Sequence, residues 1–153
     1  MAEPQKKTII DAFLEGARRG LDMTLKSIMP NVVMAFVIIH FLNLTGILDI
    51  ISRAAAPVMA IFGLPGEGFA AWMAGWLSLG GGVGAALALY SDGALVEKHM
   101  TILLCAFMII GAQLQYMGRI MITAGAESRV IGKIMATGVV LSFIVMFLVQ
   151  FIA

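Results

Sequence analysis

The chain has 153 residues, of which 61% are hydrophobic and 12% charged, with a mean hydropathy of +1.00 and a formal net charge of +1. Soluble domains carry about 25% charged residues, so composition excludes that class, and a near-neutral balance offers no basic field for nucleic acid. One cysteine, Cys105, rules out an intramolecular disulfide and a cysteine-based zinc cage; set in an apolar run, it reads as a small core hydrophobe.

The N-terminus lacks the apolar core and small-residue cleavage site of a signal peptide, so it is expected to be retained. From Lys6 to Ile28 the sequence predicts an amphipathic helix. Ile10, Phe13, Leu14, Ala17, Leu21, Leu25 and Ile28 recur at helical spacing, with Asp11, Glu15, Arg18, Arg19, Asp22 and Lys26 mostly opposite. Glu15–Arg19, Arg18–Asp22 and Asp22–Lys26 stand four apart and can pair. A helix of this kind lies in the membrane interface, which makes residues 1–29 an interfacial element and 30–153 the membrane domain. Pro30 disfavours helical geometry at Met29, so the chain is expected to turn there into the bilayer.

A first span is predicted from Asn31 to Ile50. Ala54–Phe62 is too short to cross alone, and Gly63-Leu64-Pro65-Gly66-Glu67-Gly68 is a turn by composition. Then come Phe69–Leu79, a glycine break and Ala85–Leu95. Spans near Met100–Tyr116 and Ile134–Ile152 follow, joined by a loop around Ala124–Arg129. The fold class is therefore an all-α integral membrane protein with about three full transmembrane spans plus a re-entrant or broken-helix hairpin. Alternation of the β-barrel type is absent.

Gly80, Gly81, Gly82 and Gly84 interrupt the apolar run from Phe69 to Leu89 beside Ser78. Each glycine is about 1 kcal/mol worse than alanine inside a helix. Irregular backbone at membrane depth is tolerated where protein buries it or where it lines a polar cavity. A half-helix beginning near Val83 would aim its positive end at a polar or anionic group. The alternative is a small-residue face for helix packing. Ser91 and Asp92 close the segment; an acid inside the membrane suggests a cation or proton site, while at a helix end it reads as a cap. Asn43 and His40 share a face of the first span; His40 either hydrogen-bonds a neighbouring helix or shuttles protons, and Asn43, like Gln113, either glues helices or lines a cavity. Gln113 and Gln115, two apart, face different ways. Trp72 and Trp76 mark an interface belt or cover the glycine turn.

Lysine and arginine are enriched in cytoplasmic loops. With the N-terminus cytoplasmic, a single crossing by the middle region leaves Arg53, Arg119, Arg129 and Lys133 outside. A fold-back leaves only Arg53 and Lys98 outside, with the other eight of the ten inside. The second count favours a re-entrant hairpin or an even number of crossings. The twelve methionines are scattered and read as apolar filler, so neither metal nor cofactor is expected. Metalloprotease, nucleophile-elbow and Walker motifs are missing, and no enzyme is expected.

Gly16-Ala17-Arg18-Arg19-Gly20-Leu21, Pro30, Thr45-Gly46-Ile47-Leu48-Asp49, Pro57 and Gly63-Leu64-Pro65-Gly66-Glu67 occur in an order that resembles the nucleoside-recognition Gate-domain family, in its spore maturation protein B branch. The likeness covers a Gate-like core of about residues 13–95. It implies a scaffold similar to the core of concentrative nucleoside transporters, with paired repeats around a central site. It also implies a second Gate-domain subunit of the spore maturation protein A type as partner. The expected function is thus a subunit of a bacterial inner-membrane transporter for a small polar solute. Ser78, Gly80, Gly81, Gly82, Gly84, Ser91, Asp92 and Asn43 are its candidate binding residues, and lipid is its solvent. The alternative is a non-transporting assembly or regulatory subunit whose glycines pack helices.

Overall fold

A computed structural model describes residues 8–117, 125 and 127–153; Lys6, Lys7, Arg119 and part of the loop expected at Ala124–Arg129 lie outside them. Every regular element among the described residues is helical. Helix α1 (Ile9–Met23) starts at a reciprocal cap. Thr8 Oγ1 accepts from the Asp11 backbone N–H at 3.2 Å, and the Asp11 carboxylate accepts from the Thr8 N–H at 3.1 Å. This capping box satisfies two of the donors that every helix start leaves unpaired. The Thr8 hydroxyl, donating to the Asp11 carboxylate at 2.6 Å, and the Thr8 N–H together hold the Asp11 carboxyl below its ordinary range. On α1 Glu15 pairs with Arg19, and Asp22 reaches Lys26, just past the helix end, at 3.3 Å. Ile9, Ile10, Phe13 and Leu21 are all exposed, and no residue of α1 is buried.

The turn expected at Pro30 is not made. Proline has no N–H to give Lys26, four residues back, and its ring crowds that carbonyl. The chain answers with a wider π-helical turn over Thr24–Ile28, keeps Met29 at φ −58° and ψ −46°, and runs on into α2 (Met29–Leu44). Nor is Asn31–Ile50 a single rod. Helix α2 stops where Thr45 Oγ1 donates to the Phe41 carbonyl at 2.8 Å and Gly46 takes φ +73°. Helix α3 (Ile47–Ala60) then leaves at 92°. The left-handed region at Gly46 is open to glycine at no steric cost, which places the bend there. The short apolar piece 54–62 proves to be the second half of α3 and its exit. The turn expected at 63–68 is present, with Gly63 at φ +68° and α4 beginning at Gly68.

Helices α4 (Gly68–Leu77) and α5 (Leu79–Ser91) are separated by Ser78 alone. At 10 and 13 residues they reach about 15 and 20 Å, short of a hydrocarbon core of about 30 Å. They pack across Gly75 and Gly82, where a Cβ on Gly82 would fall 2.3 Å from Gly75 Cα. On another face of α5, a Cβ on Gly84 would meet the Val32 carbonyl at 3.0 Å and Ala35 Cβ at 3.1 Å. Because Gly84 faces Val32 and Ala35 while Ala88 faces the later part of α2, helices α2 and α5 run in the same direction. Helix α6 (Glu97–Ile110) lies behind them, its Phe107 ring seated against Gly75 and Gly82. Ala71, Ala85, Ala86, Ile102, Leu103, Ala106 and Ile110 complete a core built on small residues.

A short helix α7 (Gln113–Tyr116) follows α6, and α8 (Ser128–Val149) closes the described chain. Glu97–Tyr116, at 20 residues, and α8, at 22, are the helices among the described residues long and apolar enough to cross a membrane. The bent pair α2–α3 makes a third if it counts as one. The tryptophans are not a membrane belt. Trp72, 4% exposed, stacks between Phe69, Trp76 and Phe143 and donates from its indole to Ser142 Oγ at 3.3 Å. Trp76 donates to Gln113 Oε1 at 3.1 Å. A buried indole N–H takes a partner inside the protein, and α8 and α7 supply it. Cys105 is half-buried on α6.

Candidate functional site at two adjoining helix breaks

The interruption expected at the glycines lies instead at Ser78, the only residue between α4 and α5, with φ −155° and ψ 127°. Its hydroxyl accepts from the Gly81 N–H at 3.4 Å and its carbonyl from the Gly82 N–H at 2.8 Å, so serine starts the half-helix as an N-cap. The half-helix begins at Leu79, not near Val83, and Gly80, Gly81, Gly82 and Gly84 are all helical. The amide groups of Leu79 and Gly80 stand in the first turn, with no carbonyl a turn behind them to accept. The four glycines divide by face. Gly82 and Gly84 are buried in packing, whereas Gly81 borders a groove and Gly80 is half-buried.

A second break, between α6 and α7, meets the first. Gly111 ends α6 with φ −53° and ψ 119°, and Ala112 takes φ +58°, ψ 20°. Left-handed geometry at alanine costs of order 1–3 kcal/mol unless its surroundings impose it. They do: the Ala112 N–H donates to the Gly75 carbonyl at 3.0 Å, an acceptor stranded because α4 ends two residues later. A Cβ on Gly111 would lie 2.8 Å from Leu79 Cδ1. Gln113, 9% exposed, fastens the junction: its carbonyl oxygen takes the Trp76 indole, and its amide donates to the Ile134 carbonyl of α8 at 3.2 Å.

Beside the Ser78 break lies a groove of about 640 Å³ between α2, α4, α5 and α7. Met34, Ile38, Met73 and Leu114 form its apolar walls, and Ser78 and Gln115 supply its polar side chains. The two glutamines face different ways, as their spacing requires: Gln113 into the protein, Gln115 to the groove. Spacing alone did not assign Gln115 to the groove, and the Gly111–Ala112 break was not expected. A glycine five residues before the end of the span expected to finish at Tyr116, followed by two glutamines, was the available signal.

Ser91 and Asp92 do not join this groove. They lie at the far end of α5, about 20 Å away along the helix, where they line a separate pocket of about 480 Å³ with His40. Asn43 is exposed and lines neither space. Among the described residues, no group of three His, Cys, Asp or Glu could hold a metal ion.

Helices long and apolar enough to cross a bilayer, packed with shorter interrupted ones, define a helical membrane protein. The chain belongs to the Gate family, described as nucleoside recognition, whose profile matches residues 25–127. It is 38% identical over 152 residues to Inner membrane protein YjiG of Escherichia coli strain K12, covering 99% of both chains, with the same figures for that protein in strain O157:H7. It is 27% identical over 107 residues to Uncharacterized protein MJ0880 of Methanocaldococcus jannaschii, covering 70% of this chain and 34% of that protein. No solved structure matches the chain.

Proposed function

We propose that the protein is one subunit of a pathway for a small polar solute across a bacterial inner membrane, acting as a transporter component and not as an enzyme. What carries this is the meeting of the Ser78 and Gly111–Ala112 breaks beside a groove. Two interrupted helices place hydrogen-bonding backbone next to a cavity inside an otherwise apolar body. Ser78, Gly81 and Gln115, with the first amides of α5, would contact the solute. The inner membrane is the location named for the relative YjiG. We take the N-terminus as cytoplasmic, the orientation under which a fold-back leaves eight of the ten lysines and arginines inside, with α1 lying on the membrane surface through Ile9, Ile10, Phe13 and Leu21.

The family description names nucleosides. Trp72 and Trp76 are already engaged by aromatic neighbours and hydrogen bonds, so neither offers this chain a free stacking platform. The solute is therefore given as polar and small. A groove open along one side needs a second wall, for which we propose another Gate-domain subunit of the spore maturation protein A type.

The tight seats of Gly82 and Gly84 favour a second reading, a non-transporting assembly or regulatory subunit whose glycines serve packing. Gly81→Leu separates the two. It fills the groove while leaving the Gly82 and Gly84 contacts in place. Uptake by cells or proteoliposomes should fall at least ten-fold with complex formation intact; unchanged uptake would discard the pathway.

A further inference from the structure

Helices α2 and α5 run in the same direction, and their C-terminal ends finish side by side at the pocket lined by Phe36, Phe41, His40, Ser91 and Asp92. A helix C-terminus carries partial negative charge and disfavours an acid there. Asp92 is nevertheless the residue that closes α5. Its N–H donates to the Ala88 carbonyl at 2.9 Å, and Gly93 at φ +78° completes the turn through Gly93 N–H to Tyr90 at 3.1 Å and Ala94 N–H to Leu89 at 2.9 Å. The backbone thus caps the helix without the carboxylate. The side chains of Asp92, Ser91 and His40 are exposed and have no hydrogen-bond or ion-pair partner among the described residues, so all three are open to a ligand. Asp92 and His40 are the ionisable groups of the pocket wall, and neither lysine nor arginine lines it.

We infer that this pocket binds a small organic ammonium group. A carboxylate and two negative helix ends draw a cation, and Phe36 and Phe41 beside it supply aromatic rings of the kind that attract cations. The ammonium N–H groups donate to Asp92 and Ser91, and to the imidazole of His40. An inorganic cation fits poorly: hard divalent ions take six or more oxygens, whereas Phe36, Val37, Phe41, Leu44 and Ala88 make most of this wall apolar. The space, about 480 Å³ and open on one side, admits a small amine with an apolar body. The ammonium belongs either to a free amine or to the headgroup of an ethanolamine lipid, both offering the same R–NH3+ chemistry.

The full chain in nanodiscs of phosphatidylglycerol, with phenylalanine rings labelled for NMR, tests this with propylammonium as probe and propanol as its neutral counterpart. Phe36 and Phe41 should shift saturably with propylammonium and not with propanol. Asp92→Asn should weaken binding about ten-fold, the loss of one charged hydrogen bond, while Asp49→Asn, an exposed acid on α3, leaves it unchanged. Competition by phosphatidylethanolamine added to the disc assigns the ammonium to lipid; absence of competition assigns it to a free amine. No saturable shift, equal response to propanol, or full affinity in folded Asp92→Asn overturns the inference. Binding is read without uptake, so the result is separable from the role given to Ser78.

Discussion

Gly81 and Gly82 are neighbours in sequence with different surroundings: a Cβ on Gly81 would rest 3.4 Å from Ser78 Cβ, while one on Gly82 would lie 2.3 Å from Gly75 Cα. Gly82→Ala must push α4 and α5 apart and should cost about 1–3 kcal/mol, seen as a lower unfolding temperature in detergent. Gly81→Ala should be neutral or stabilising by up to about 1 kcal/mol, because alanine is the better helix former and its methyl has room. Gln113 invites a second measurement. Leucine there strands the Trp76 indole and removes the side-chain bond to the Ile134 carbonyl, a loss of about 1–2 kcal/mol. Its fluorescence signature would be a shifted Trp76 emission, read in a Trp72→Phe background. That these residues matter was visible in the sequence. Which glycine packs and which glutamine faces the groove was not, since each answer depends on a helix far away along the chain.

At the scale of elements, a helix near the N-terminus was legible because periodicity and charged pairs four apart are local, whereas its start at the Thr8–Asp11 cap was not read from the sequence. The Asp11 carboxyl is depressed in the folded helix, so its contribution is complete above the ordinary carboxylate range and disappears as pH falls through the lowered value. Amide exchange at the first turn of α1 should therefore accelerate on acidification below about pH 4, and Asp11→Asn should remove that dependence. The bends were less legible. Pro30 was expected to turn the chain, yet a π-helical turn absorbed it; Gly46, with no such expectation attached, made a 92° corner. Gly46→Ala should destabilise the protein by about 1–2 kcal/mol, the left-handed penalty of an added Cβ, measurable by thermal unfolding.

At the scale of the whole molecule, α4 and α5 are each too short to cross. If the pair returns to its own side, single cysteines at positions 53 and 98 will react with an impermeant thiol reagent from outside intact spheroplasts. Cysteines at positions 129 and 133 will react only after permeabilisation, all in a Cys105→Ser background. Labelling of position 98 from the inside alone would instead mean a single crossing between Arg53 and Lys98.

Sequence by itself determined the membrane class, the helical fold, the turn at 63–68 and an interruption close to residue 80, because hydropathy, turn chemistry and glycine content act over a few residues. Tertiary structure alone decided that the glycines stay helical while Ser78 breaks. The propensity deficit of a glycine helix is about 1 kcal/mol per residue, and the close approach of Gly82 to α4 and Gly84 to α2 offsets it. It decided as well that a second break at Ala112 completes the first, since a stranded carbonyl on Gly75 finds its donor thirty-seven residues later.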